Sequence, residues 1–360
     1  MSTSALTYTR AVRYTLTPRC VNRCGFCSFP NKRYHPAPSP KRWKAWLRQA
    51  RPWEPSTLQV TGGEPVTKDR ELLQTVRYYG HRDAIDYLQG LLDLAQEERH
   101  GALLISLELG ELSRADLQRL RPQIAEYVVG LVPFDPTLFD SPLLWNSPTM
   151  SPPRRLELLA MLGQLRIPTT VTLMVGMGES EPSRLQTLAA LAELHARRGH
   201  LQGVRIVPFR PKVGTATENR PAAEPDVVVR TVRQACEIMG SVPVQVPALD
   251  VREFVDRCVE AGAQDLGMVD ADPQKDMTAR ARHWGEVERR LVNHRLLERL
   301  AITESTLARG LVPPTLGPTL KCQLDRLEER TVNPVRVAIV PEAVPVNAPL
   351  EASEPAADLG

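Results

Sequence analysis

Along most of this chain, short β-branched runs alternate with amphipathic helical stretches, the pattern left by parallel strands joined through helical crossovers. The runs fall at residues 12–17, 57–61, 102–109, 127–132, 169–176, 203–209, 243–247 and 265–269. Eight strand-and-helix units predict an α/β fold of the TIM type, a (β/α)8 barrel; a six-unit partial barrel would differ only in its use of the last two runs. Helix start signals support the count. Ser113 with Asp116 reads as a capping box, Pro152 and Pro153 suit a first helical turn, and Asp250 can cap the segment holding Phe254, Val255 and Cys258. Residues 68–100 exceed one helix and predict two, broken around Gly80 and His81.

The pattern divides the chain into a barrel over 1–282, a helical extension over 283–320 and a loosely ordered tail over 321–360. The extension offers Leu291, Leu296, Leu297 and Leu300 as an apolar face, whereas the tail is proline-, valine- and alanine-rich without sustained periodicity. A formal charge of +3, from 45 basic and 42 acidic side chains without clustering, argues against a nucleic-acid partner and for a small-molecule substrate. No stretch approaches the roughly 18 apolar residues of a membrane span, and residues 1–9 lack the apolar core of a signal peptide. The expectation is a cytoplasmic protein without a membrane partner. Its six cysteines are too few for a disulfide scaffold, and Cys236 and Cys258, in helical patterns, read as small core or surface residues.

In such a barrel the reactive groups come from the loops after the strands, and the loop after the first run carries Cys20, Cys24 and Cys27. The spacing is Cys-x3-Cys-x2-Cys, with Phe26 just before the last cysteine. Three thiolates from one loop suit a 4Fe-4S cluster with one iron left open. A zinc site would want a fourth ligand, for which His35 is the nearest candidate. After the second run, about 35 residues beyond Cys27, comes Gly62-Gly63-Glu64-Pro65. The fifth run ends in Gly176-Met177-Gly178-Glu179. Glycines at such ends let backbone approach a ligand closely. Glu108, closing the third run, is a candidate carboxylate at the barrel mouth; Arg210 and Lys212 follow the sixth run.

The cysteine spacing and its aromatic resemble the signature of the radical S-adenosylmethionine enzymes, in which the open iron chelates S-adenosylmethionine and an external donor supplies the electron for its cleavage. The resemblance implies that Cys20, Cys24 and Cys27 hold the cluster. It also implies that Gly62, Gly63 and Glu64 meet the ammonium of S-adenosylmethionine. Phe26, Gly176 and Gly178 lie beside its adenosine; Glu179 either accepts from the ribose or begins the next helix.

Stretches 22–27, 165–170, 175–179, 209–212 and 244–247 further resemble the CofG subunit of 7,8-didemethyl-8-hydroxy-5-deazariboflavin synthase. That likeness implies a radical lyase closing the deazaflavin ring of a hydroxybenzyl adduct of a ribitylamino-uracil, with the CofH subunit as partner supplying the adduct. The chain departs from the family at residues 107–110, where a His-Thr-Asn segment is usual, and at Pro133-Phe134, where a carboxylate is usual. It departs again at residues 147–150 in place of Ser-Pro-Asp-Lys. The loop after the eighth strand differs as well, and all four departures read as falling on the substrate side. Radical enzymes of the biotin synthase or menaquinone-pathway type, or a non-catalytic metal-binding protein, remain alternatives at this point.

Overall fold

The structure, a computed structural model, describes residues 5–29, 37–99, 102–271 and 277–332. Its strands are β1 (Ala5–Thr17), β2 (Thr57–Gly62), β3 (Leu104–Glu108), β4 (Glu126–Leu131), β5 (Thr169–Val175), β6 (Leu201–Pro208), β7 (Val244–Gln245), β8 (Asp265–Ala271) and β9 (Arg295–Glu298). The helices are α1 (Pro40–Gln49), α2 (Arg70–Tyr78), α3 (Ala84–Glu98), α4 (Arg114–Leu120), α5 (Pro136–Phe139) and α6 (Pro152–Gln164). After them come α7 (Glu181–Arg198), α8 (Pro225–Met239), α9 (Val255–Glu260), α10 (Met277–Arg290), α11 (Glu304–Ala308) and α12 (Gly317–Val332).

Strands β1 to β8 pair in parallel in sequence order, and β1 pairs with both β2 and β8. The sheet therefore closes on itself as an eight-stranded barrel, the (β/α)8 fold that the alternation predicts. Side chains alternate across its wall with a period of two. Leu58, Val60, Ile105, Leu107, Val171, Leu173, Val204 and Ile206, all essentially inaccessible, join the core between wall and helices. The intervening positions face the lumen. Outside β1, Tyr14 meets Trp43 and Trp46 of α1 edge-on, with ring centroids 4.8 and 5.0 Å away.

The two-helix reading of residues 68–100 agrees with α2 and α3, separated around Gly80 and His81. Ser113 caps α4, and α6 starts at Pro152. Asp250 caps nothing. The residue preceding α9 is Phe254, and no side chain bonds the helix start.

The helical reading of residues 283–310 is corrected by β9. Leu296 and Leu297 lie in a strand that pairs with Leu6 and Thr7 of β1. Beyond it the chain crosses the N-terminal end of the barrel. Leu300, Ala301, Ile302, Leu316 and Leu320 pack against Leu104 and Ala125, at the starts of β3 and β4. Arg121 donates to the Leu311 carbonyl, and Gln323 to that of Ala102. The predicted tail thus begins inside α12, which continues to Val332, and residues 333–360 lie outside the described residues. Among the described residues no helix is long and apolar enough to cross a membrane.

Candidate active site

The cysteine loop leaves the C-terminal end of β1 and is held in part by backbone. Val21 N–H donates to the Glu64 carbonyl at 2.8 Å, Arg23 N–H to that of Asn146 at 2.8 Å, and Gly25 N–H to that of Leu143 at 2.8 Å. Two glycines permit this closeness. A Cβ on Gly63 would stand 1.8 Å from the Arg19 carbonyl oxygen and 2.9 Å from the Cys20 Cβ, and one on Gly25 would stand 2.4 Å from the Pro142 carbonyl oxygen. Gly62 closes β2 in a looser setting, its nearest outside neighbour Leu109.

Each of the three sulfurs receives at least one donor. Glu64 N–H points to Cys20 Sγ at 3.4 Å, Ser147 Oγ to Cys24 Sγ at 3.2 Å, and Phe29 N–H to Cys27 Sγ at 3.5 Å. Burial pushes the Cys24 thiol up to about 12 and raises that of Cys20. A bare thiolate is thus penalised here, and a cationic iron on the sulfur would offset the penalty. Three unpaired thiols on one loop, each with a hydrogen-bond donor, fit the three-cysteine ligation of a 4Fe-4S cluster. Among the described residues no three His, Cys, Asp or Glu side chains form a single-ion site. His35, the candidate fourth zinc ligand, lies outside the described residues.

Glu64 does more in the structure than the sequence suggests. Its carboxylate is buried and turned away from the mouth, accepting from Asn22 Nδ2 at 2.7 Å, Glu111 N–H at 2.8 Å and both terminal nitrogens of Arg155. The Glu64 side chain therefore braces the cysteine loop, the loop after β3 and α6, while its backbone N–H and carbonyl meet Cys20 Sγ and Val21 N–H of the same cysteine loop. Gly110 makes room for it, with φ +67 and a Cβ position only 1.7 Å from Glu64 Oε2.

Glu179 is likewise turned onto its own loop. It accepts from Gly176 N–H and Met177 N–H, both at 2.7 Å, and pairs with Arg184 at 3.2 Å. The helix begins instead at Ser180, whose side chain caps α7. Neither role read for Glu179 matches this geometry. Gly176 and Gly178 adopt φ +84 and +107, the left-handed region that favours glycine, and Ala223 occupies the space that Gly176 leaves. Phe26 is half-buried against the core.

Two residues that the sequence did not single out join these loops across the mouth. Thr217 Oγ1 donates to the Gly25 carbonyl at 3.0 Å, and Arg220 donates to that of Met177 at 2.9 Å. Arg210 is spent on the Asp250 carbonyl and Glu253, while Lys212 is exposed. The segment at residues 147–150, expected on the substrate side, packs instead against the cysteine loop. Ser147 meets Cys24, and Thr149 bonds Asn22 through both its backbone N–H and its hydroxyl. A carboxylate does follow β4, two residues beyond Pro133. Asp135 accepts from Ser180 N–H at 2.8 Å and from Thr137, and these bonds hold its carboxyl well below the usual range.

The lumen is polar. Arg13 Nε donates to Gln59 Oε1 at 2.8 Å, and Arg205 donates to Gln245 Oε1 from Nε at 3.1 Å and from Nη2 at 3.0 Å. Toward the floor, Glu126 accepts from Ser106, Thr170 and Gln202. The signal in the sequence was there: polar residues at every second strand position, as in Arg13-x-Thr15-x-Thr17, Gln59-x-Thr61 and Thr170-x-Thr172.

Residues 14–191 match the family model described as the radical SAM superfamily. The chain is 31% identical to 7,8-didemethyl-8-hydroxy-5-deazariboflavin synthase from Methanopyrus kandleri, covering 85% of this chain and 93% of the relative. The enzyme of the same name from Methanoculleus marisnigri is 32% identical, over 94% and 99%. The chain belongs to this radical SAM family. Among solved structures, methylornithine synthase (PylB) aligns with a TM-score of 0.60 at 16% identity, covering 86% of each chain. The FeFe-hydrogenase maturase HydG from Carboxydothermus hydrogenoformans aligns with a TM-score of 0.63 at 14% identity, covering 93% of this chain and 76% of that one. At such identities these two establish the shared barrel alone. Membership of the family implies a 4Fe-4S cluster and S-adenosylmethionine.

Proposed function

We propose that this chain is the radical S-adenosylmethionine lyase that closes the deazaflavin ring of 7,8-didemethyl-8-hydroxy-5-deazariboflavin. The carrying observation is the loop of Cys20, Cys24 and Cys27, each sulfur with its own donor, at the mouth of a barrel whose relatives bear that name over nearly their whole length. Bound at this loop, a 4Fe-4S cluster and S-adenosylmethionine supply a hydrogen-abstracting 5′-deoxyadenosyl radical. The substrate, a hydroxybenzyl adduct of a ribitylamino-uracil, would give up one hydrogen atom to that radical; its aromatic carbon would then bond to the ribityl-bearing nitrogen, ammonia would leave, and a second hydrogen would depart as a proton with its electron returning to the cluster.

The protein's part is placement and exclusion of water. In this reading the three cysteines hold the cluster, while the backbone of Gly62, Gly63 and Glu64 meets the amino group of S-adenosylmethionine. Phe26 and the turn from Gly176 to Glu179 border its adenosine, with the Glu179 carboxylate keeping the turn in shape. The barrel covers residues 1–282, and the segment after it closes its floor. An external one-electron donor approaches the cleft of about 370 Å³ beside Cys20, whose rim bears Arg19, Lys68 and Arg70. The CofH subunit supplies the adduct, and the reaction runs in the cytoplasm.

The test is anaerobic. The reconstituted, reduced chain is given S-adenosylmethionine and the adduct, and both 5′-deoxyadenosine and the fluorescent deazaflavin are measured. Both should form, and Cys24→Ala should abolish both while Cys236→Ala preserves them. Formation of 5′-deoxyadenosine without deazaflavin would overturn the substrate assignment, and its absence with every substrate would overturn the radical reading.

A further inference from the structure

The upper lumen holds polar groups that the fold leaves unsatisfied. Glu108, the last residue of β3, has neither a hydrogen bond nor an ion pair among the described residues, although it is on the lumen face, where the charges of Arg13 and Arg205 act on it without direct contact. Gln59 Nε2 and Thr172 Oγ1 are buried without a partner. Gln59 has its oxygen committed to Arg13, so what it has left is a donor. Strand register sets Arg13, which also faces Asp270 at 3.7 Å, beside Gln59, Glu108 beside Thr61, one lumenal position above Gln59 on β2, and Thr172 beside Arg205.

Between them the wall is hollow. Gly130, in mid-β4 opposite Thr172, is partly accessible, and a Cβ built on it would meet nothing within 4 Å. A glycine inside a strand weakens it, and one with no neighbour to accommodate marks a place where something else approaches the backbone. Each buried polar group without a partner costs about 1–3 kcal/mol, so a cluster of them beside a hollow is a feature a ligand can repay.

The chemistry of the cluster is alternating. Gln59 Nε2 and the guanidiniums donate, Glu108 accepts, and Thr172 does either. We infer that this layer recognises the pyrimidinedione ring of the substrate, Glu108 accepting from a ring N–H while Gln59 and Arg13 donate to an adjacent carbonyl, with the ring lying over Gly130. The inference rests on the deazaflavin reading above and names the part of the adduct that the lumen grips. Glu108 is thus a binding and specificity residue standing where the family usually has a different segment.

The experiment measures binding rather than turnover. The reconstituted chain is titrated calorimetrically with 5-amino-6-ribitylamino-uracil and with its N3-methyl analogue. The same two titrations are run on Glu108→Ala, and the unmethylated uracil is also titrated into Gly130→Val. Methylation should weaken binding to the unaltered chain by about 10- to 100-fold, the worth of one hydrogen bond to a charged group, and should cost Glu108→Ala almost nothing. Gly130→Val, which fills the hollow and adds a β-branched residue to a strand, should also lose the uracil while keeping its unfolding midpoint. An equal methylation penalty in both proteins, or full affinity in Gly130→Val, would overturn the inference. Such a result would leave the proposed function standing if deazaflavin still forms; absent deazaflavin with an intact methylation difference would sink that function and not this site.

Discussion

Replacing Arg155 by Met should expose how the cysteine loop is braced. Arg155 and Glu64 are a buried ion pair, their side chains 3% and 7% exposed. The Glu64 carboxylate has two neutral donors besides the guanidinium, Asn22 Nδ2 and Glu111 N–H, so removing Arg155 leaves a charge in a low-dielectric setting with half its partners gone. Breaking one side of such a pair typically costs about 3–5 kcal/mol. Methionine keeps most of the volume, which separates this cost from that of a cavity. Urea denaturation of the metal-free protein should show the loss, and adding Glu64→Gln should recover a large part of it, because the amide needs no counter-charge. Iron retained after reconstitution should fall in Arg155→Met, since Asn22 and the Glu64 N–H that faces Cys20 Sγ move with the carboxylate. A loss below about 1 kcal/mol, or strict additivity in the double variant, would refute the argument that Glu64 is held as a buried charge.

Gly63→Ala should destabilise the metal-free protein by about 1–3 kcal/mol and lower its iron content on reconstitution, because the added Cβ overlaps the Arg19 carbonyl and crowds Cys20; iron titration and urea melts check both. Leu316→Ala, at a site 4% exposed, should cost about 2–5 kcal/mol in one cooperative transition, since the C-terminal segment is packed onto the barrel floor. Burial pushes the His200 imidazole down from 6.5 to about 4, so the folded chain holds it neutral while the unfolded chain takes up a proton first. Its contribution, about 3 kcal/mol, is whole above pH 6.5 and lost as pH falls toward 4. Melts of the chain and of His200→Gln over that range should converge as the pH drops.

The strands and the cysteine loop were legible because their signals are local. A β-branched run marks 169–175 and a fixed spacing marks Cys20 to Cys27. What was missed depends on distant partners. Glu64 meets Arg155 from 91 residues away, and nothing near either residue announces the pair. Leu296 and Leu297 sit at helical spacing with Leu300, and only the free edge of β1 makes their segment a strand. Helix α12 likewise hides in a run of modest periodicity, ordered by the floor it covers. Glu179 was misread for a related reason. An acidic residue before a helix suggests a cap or a ligand contact, but two left-handed glycines turn the backbone so that its N–H groups face the carboxylate first. For Glu108 the alternation does carry the answer, since Ile105 and Leu107 join the core between wall and helices and leave Ser106 and Glu108 to the lumen face.

The two halves of the mouth are built from different kinds of contact, and this bears on how the chain can differ from its relatives without losing its chemistry. The cysteine loop is fixed by main-chain hydrogen bonds from Val21, Arg23 and Gly25 and by glycines whose Cβ would overlap backbone. Such contacts tolerate many side chains around them but no shift of the loop itself. In the lumen the positions are set by strand register. Exchanging Glu108 or Thr172 therefore changes which atoms face a ligand while leaving the wall, and the loop above it, where they are. A barrel made this way can keep one means of generating a radical and change what the radical meets by substitutions at single lumenal positions.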